Sequence, residues 1–110
     1  MAQTTRPAFA NISANTTDYV LIAGDTSNRT IKVVSVAFVA GATATNATFN
    51  SCPTGGSGTA ISCLFANGAN GGAILNRNED GWFSTVGGQG LSITTGAGST
   101  TGVLVNYVYV

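Results

Sequence analysis

Hydrophobic residues in this chain occur in short runs that are separated by turn-forming residues. Eight runs are rich in β-branched or aromatic side chains, as expected of strands. They span residues 18–23, 30–40, 46–52, 59–66, 73–76, 82–86, 90–95 and 102–109. The segments between them, such as GDTSN, NGANGG and NEDG, consist of residues that favour tight turns. We therefore predict an all-β fold, a single antiparallel β-sandwich of about eight short strands.

The alternation of apolar and polar residues distinguishes two kinds of predicted strand. Residues 46–51 and 91–94 alternate between apolar and polar positions, which is typical of a strand with one face in water. Residues 18–23, 30–40 and 102–110 are apolar on both faces. Since no helix is predicted to cover the sheet, the second face must meet another sheet or another copy of the chain, and we infer an oligomer. The alternative is a closed, twisted sandwich in which scattered surface valines need no explanation.

Large side chains near the C-terminus are the candidates for that oligomer contact. In the last strand the predicted interface is formed by Val108 and its neighbours on one face, or by Tyr107 and Tyr109 on the other. Trp82 is added to them, because alternation sends Trp82 and Phe83 to opposite faces and large aromatic anchors concentrate at interfaces. The same aromatic residues could instead form a stacking platform for a sugar or a base.

Composition argues against several classes of function. Charged residues make up 7% of the chain, four basic and four acidic, so there is no electrostatic footprint for nucleic acid or a membrane surface. The chain has no His, and its one adjacent acidic pair, Glu79 and Asp80, precedes Gly81 in a turn signal. We predict no enzyme activity, no catalytic or metal site and no cofactor.

Two further features concern the compartment in which the protein is made. No apolar run approaches the roughly 20 residues that span a bilayer, and the N-terminus lacks the order of a signal peptide, so synthesis in a cytoplasm is expected. Cys52 and Cys63 fall on differently patterned strand faces, which disfavours a disulfide between them. Two reduced cysteines are expected, with at least Cys63 in the core.

The order of several short motifs resembles a class of small tailed-phage structural proteins. The segment YVLIAGDTSNRTIKVVSVAFVA is followed by a Gly-rich middle and then by NEDGWFSTVGGQGLSITTGAGSTTGVLVNYVYV, so the resemblance covers residues 18–110. Proteins of this kind are capsid decoration, or cement, proteins with a jelly-roll-like sandwich, commonly trimeric, that sit over junctions between major capsid subunits. The resemblance implies a structural protein on the capsid exterior of a virion, with the major capsid protein and other copies of the chain as partners.

Residues 1–17 lie outside the resemblance and are predicted to form an extended N-terminal arm, with the sandwich domain at 18–110. Arg6, Phe9 and Ile12 are the candidates in the arm for docking on a shell, by strand addition or draping. The alternative is a tail without a role. Two other functions remain open: a carbohydrate- or receptor-binding module of a tail fibre or tail tip, and a small hydrolase.

Overall fold

The computed structural model describes residues 4–110, and these form ten β-strands in two antiparallel five-stranded sheets with no helix. No helix long and apolar enough to cross a membrane occurs among these residues. The strands are β1 (Arg6–Ile12), β2 (Tyr19–Ile22), β3 (Ile31–Ala40), β4 (Thr45–Cys52), β5 (Thr59–Ala60), β6 (Phe65–Asn67), β7 (Gly72–Leu75), β8 (Phe83–Ser84), β9 (Gly90–Thr95) and β10 (Thr101–Tyr109).

The ten strands occupy eight positions, four in each sheet. Sheet A has the order β1-β10-β3-β7, and β8 shares the last position with β7 because both pair with β3. Sheet B has the order β2-β9-β4-β5, and β6 joins β5 along β4. This order, in which the chain crosses repeatedly between two four-position sheets, is the double Greek key of a jelly roll. It confirms the predicted all-β, jelly-roll-like sandwich.

Aromatic rings fill the space between the two sheets. Phe49 on β4 is fully buried, and its ring centroid lies 5.0 Å from that of Phe83 and 6.1 Å from those of Phe38 and Phe65. These edge and tilted contacts are the arrangements that aromatic quadrupoles favour. The placement of Phe83 in the core and Trp82 outside it agrees with the opposite faces that alternation predicts.

The predicted N-terminal arm is a strand of the sandwich over part of its length. β1 pairs antiparallel with β10 from Arg6↔Tyr107 to Ile12↔Thr101, and Ile12 is fully buried in the core. Ala8 and Ala10 pack on the same side. The sandwich therefore begins within the segment that the sequence assigned to an arm, and residues 1–3 of that arm lie outside the described residues. Because alanine carries little hydrophobic signal, the alternation of β1 is weak in the sequence.

The predicted strand at 59–66 is interrupted in the structure. Its middle residues leave the β4 ladder, because Phe49 N–H donates to the Ser62 hydroxyl at 3.0 Å instead of to a backbone carbonyl. Cys63 and Leu64 are consequently exposed. The expectation that Cys63 is a core residue was wrong, because this side-chain hydrogen bond ends the alternation before Cys63.

The two faces of β10 meet different surroundings. Val103 and Val105 point into the core, and Tyr107 and Tyr109 pack partly against it. On the other face Leu104 is 42% exposed, so part of the second apolar face is left uncovered within the chain.

Val108 is on that outer face but is only 3% exposed. It pairs with Lys32, whose Nζ donates to the Glu79 carbonyl of the β7–β8 loop. The chain itself therefore buries Val108, and the structure corrects the expectation that Val108 is available to a second subunit.

Candidate interaction surface

The outer side of sheet A carries a row of apolar side chains from strand to strand. The backbone register places Phe9 opposite Leu104, Leu104 opposite Ala37, and Ala37 opposite Ile74. In the next row Val39 stands between two glycines. We call this surface face A, and its residues are Phe9, Asn11, Ala37, Val39, Gly72, Ile74, Gly102 and Leu104.

Face A is exposed and uncharged. Phe9 is 76% exposed and Ile74 is 75% exposed, at opposite edges of the sheet, and Val39 is 50% exposed between them. The surface forms an open groove of about 710 Å³, and no acidic or basic residue lines it. Contiguous exposed apolar patches are uncommon on monomeric soluble proteins and often coincide with interaction sites.

Small residues make the floor of the groove, and the two glycines there differ in what the fold requires. A Cβ on Gly72 would clash with the Phe38 carbonyl, so the close strand pairing at that position needs glycine. A Cβ on Gly102 would meet only Asn11 Oδ1 at 3.4 Å and Val39 Cγ1 at 3.8 Å, which are ordinary contacts. The fold therefore tolerates a side chain at Gly102.

The outer side of sheet B carries a polar cluster, in contrast to face A. Asp18 Oδ1 accepts hydrogen bonds from Asn50 Nδ2 at 3.2 Å and Ser92 Oγ at 3.1 Å, and Oδ2 accepts from Gly58 N–H at 2.9 Å. Asn50 Nδ2 also donates to Thr94 Oγ1. Both carboxylate oxygens are engaged, so this cluster serves to fasten the loops to the sheet.

The remaining predicted interface residues lie apart from face A. Trp82 is 45% exposed, and its Nε1–H donates to the Asn76 carbonyl at 2.7 Å. The Tyr107 and Tyr109 rings form an edge contact 5.5 Å between centroids. Burial, and then the adjacent Tyr109, raise the pKa of the Tyr107 hydroxyl. Among the described residues, Trp82 and the two tyrosines are not brought together, so they do not form the stacking platform.

The three residues predicted to dock on a shell, Arg6, Phe9 and Ile12, lie in different surroundings. Arg6 is exposed, with its guanidinium carbon 5.6 Å from the Tyr109 ring centroid. Arg29 lies closer, 3.9 Å over the same ring. Phe9 belongs to face A, whereas the burial of Ile12 removes it from any docking surface.

The acidic pair occupies the turn that the sequence indicated. Asp80 N–H donates to Asn78 Oδ1 at 3.0 Å, and Gly81 follows with φ of +83°. Arg77 pairs with Glu79, and its hydrogen bond lowers the pKa of that carboxyl. An exposed carboxylate held in its ionised form is poorly suited to donate a proton. Among residues 4–110 no cluster of three or more metal-ligating side chains occurs.

Both cysteines are free thiols in this structure. Cys52 is buried at the end of β4, with its Sγ 3.4 Å from the Gly56 carbonyl oxygen. Cys63 is exposed in the loop between β5 and β6. Their separate environments agree with the expectation of two reduced cysteines.

Sequence reasoning missed most of face A. It detected that residues 30–40 and 102–110 are apolar on both sides, and these two segments contain Val39 and Leu104. It did not detect Ile74, nor that Phe9 stands in the same row, because these positions meet only through the pairings of β1 and β7 with the central strands.

Comparison with known proteins supports the fold. No family model matches the sequence, and no curated protein matches it. A solved structure of Bacillus endospore appendages, described as a novel family of disulfide-linked pili, superposes with a TM-score of 0.52 at 14% identity, over 96% of this chain and 85% of that one. A chain of infectious bursal disease virus, Gx strain, aligns at a TM-score of 0.37 and 13% identity, over 94% of this chain and 32% of that one. The first similarity shows a shared β-fold.

Proposed function

We propose that this chain is a non-enzymatic structural protein of a tailed-phage virion, a capsid decoration protein. In this role it binds the capsid exterior over junctions of the major capsid protein and stabilises the shell as a homo-oligomer. The observation that carries the proposal is face A, an uncovered apolar surface on a sandwich whose polar cluster at Asp18 is satisfied internally. A chain with zero formal net charge and such a surface is suited to an assembly rather than to a free state.

The stabilising effect follows from contacts made at several points at once. An oligomer that touches two neighbouring capsid proteins makes its second contact within the same complex, at a high effective concentration. Because it binds the assembled shell and not the separated subunits, it shifts the equilibrium toward the shell. No chemical step is needed, which agrees with the placement of Glu79 and Asp80 in an exposed turn.

The capsid contact is assigned to the end of sheet A at Tyr109. Two of the four basic residues of the chain, Arg6 and Arg29, flank that ring. Arg29 also pairs with Asp25 at 2.7 Å. Exposed guanidinium groups beside an aromatic ring can hold carboxylate groups of a partner protein.

Co-sedimentation with shells tests the proposal. The shells are those of the phage that encodes the chain, prepared without it. Saturable binding is expected, with weaker and less salt-dependent binding for Arg6→Gln. Arg77→Gln is the matched control, because Arg77 is a basic side chain about half exposed in the β7–β8 loop, where it pairs with Glu79 and not with Tyr109, and it should bind as the parent does. Shells that do not bind the parent chain would refute the proposal.

A carbohydrate- or receptor-binding module of a tail fibre or tail tip is the second candidate function. The exposure of Trp82 favours it, since sugars stack on exposed indole rings. It predicts saturable binding on a glycan array that Trp82→Ala abolishes. The decoration role predicts no glycan binding and a Trp82→Ala variant that still binds shells.

A further inference from the structure

We infer that face A is covered by a second copy of this chain, related by a two-fold axis, so that Phe9 of each copy lies over Gly102 of the other. The inference names the oligomer contact of the proposed function, but it rests on the geometry of face A alone. It is tested on the purified chain without any capsid.

Gly102 is the first line of evidence. A glycine within a strand weakens it, and it commonly marks a place where another chain approaches the backbone closely. Gly102 is in β10, a central strand, and its own fold leaves room for a Cβ. Neither a positive φ nor a clash within the chain accounts for glycine here, in contrast to Gly72 and Gly81. The open space above Gly102 is therefore free for a side chain from outside.

Phe9 is the second line of evidence. It is the most exposed large hydrophobic side chain among the described residues, at 76%, and it lies on β1, two register pairs from Gly102 and on the same face. The same face thus carries a large projection and a small depression side by side. A two-fold contact uses one patch on both copies, so that each residue meets its partner reciprocally. The proposed contact is reciprocal in this sense, because Phe9 of each copy lies over Gly102 of the other.

The extent and charge of face A fit a second copy. Its exposed side chains span sheet A from Phe9 on β1 to Ile74 on β7, so two copies can meet across the full width of the sheet. No charged residue lines the groove, so the face does not repel its own image. Two sheets packed in this way lie about 10 Å apart, a distance that interdigitating side chains fill.

Two-fold pairing on face A produces a dimer. The contact is saturated when two copies meet, and a trimer, which the resemblance implies, would need a different surface. Sedimentation equilibrium of the purified chain over a range of concentrations distinguishes these states. A monomer–dimer equilibrium is expected. A trimer, or a monomer at all concentrations, would overturn the inference without affecting the capsid-binding test.

Two variants locate the contact. Phe9→Ser removes the projection, and Gly102→Val fills the depression while improving the strand propensity of β10. We expect each to raise the dimer dissociation constant by about tenfold or more, as removal of a central anchor does. Leu64→Ser is the matched control, because Leu64 is 60% exposed in the β5–β6 loop and away from face A.

Unfolding by urea, followed at low concentration, verifies that each variant folds. Gly102→Val should be at least as stable as the parent and yet fail to dimerise, a combination that damage to the fold would not produce. Gly102→Val or Phe9→Ser dimers as tight as those of the parent, or equal loss in Leu64→Ser, would overturn the assignment.

Discussion

Replacement of Ile12 by Ala tests whether β1 is part of the folded sandwich. The Ile12 side chain is fully buried, and its residue pairs with Thr101 of β10. The substitution removes about three methyl or methylene groups at ~0.8 kcal/mol each, or ~2.4 kcal/mol of transfer free energy. The cavity that remains brings the expected loss of unfolding free energy to ~3 kcal/mol. For a domain of this size that is a large share of the total, which is typically ~5–15 kcal/mol.

The assay is urea denaturation followed by circular dichroism, with Phe9→Ala as the matched control on the opposite face of the same strand. Phe9 is 76% exposed, so its loss should change the unfolding free energy by less than ~0.5 kcal/mol at concentrations where the chain is monomeric. An Ile12→Ala variant as stable as Phe9→Ala would show that β1 does not dock on the core. The account of the N-terminal segment would then be wrong.

Three further predictions concern loops and side chains at the rim of the sandwich. Asp18→Asn replaces one of two engaged carboxylate oxygens by a donor and should lower the unfolding free energy in urea by ~1–2 kcal/mol, whereas Asp80→Asn in the exposed turn should change it little. Gly81→Ala places a Cβ at φ of +83° and 2.5 Å from Lys32 Cγ, and should reduce the thermal midpoint by the equivalent of ~1–2 kcal/mol, against almost nothing for Gly68→Ala, which meets no atom. Burial is the main reason that the pKa of Tyr107 is raised above its ordinary value of 10.0. The stability contributed by the neutral Tyr107 hydroxyl is therefore present below pH 10.0 and is lost as the pH rises through the pKa of the folded state. The urea midpoint of the parent should therefore fall more steeply above pH 10 than that of Tyr107→Phe, and identical profiles would contradict this assignment.

The sequence predicts those strands whose inward residues are large. The runs at 30–40 and 90–95 contain branched side chains at alternate positions, and they correspond closely to β3 and β9. β1 is missed because two of its three inward residues are alanines, Ala8 and Ala10, and only Ile12 carries a strong signal.

The candidate site depends on information that local pattern does not contain. Alternation correctly places Leu104 and Val108 on the same face of the last strand, yet Leu104 is exposed while Val108 is buried. The difference lies in their partners, since Val108 pairs with Lys32 beside the β7–β8 loop and Leu104 pairs with Ala37 on the open part of the sheet. Such long-range pairings follow from topology, which a single sequence does not display.

The most direct test of the central claim is the temperature at which shells of the encoding phage come apart, measured with and without the bound chain. The account predicts that the parent raises this temperature. It also predicts that Phe9→Ser, which folds normally but loses the contact on face A, raises it much less at equal concentration. Shells that bind the parent and come apart at the same temperature as bare shells would contradict the claim that this protein stabilises a capsid.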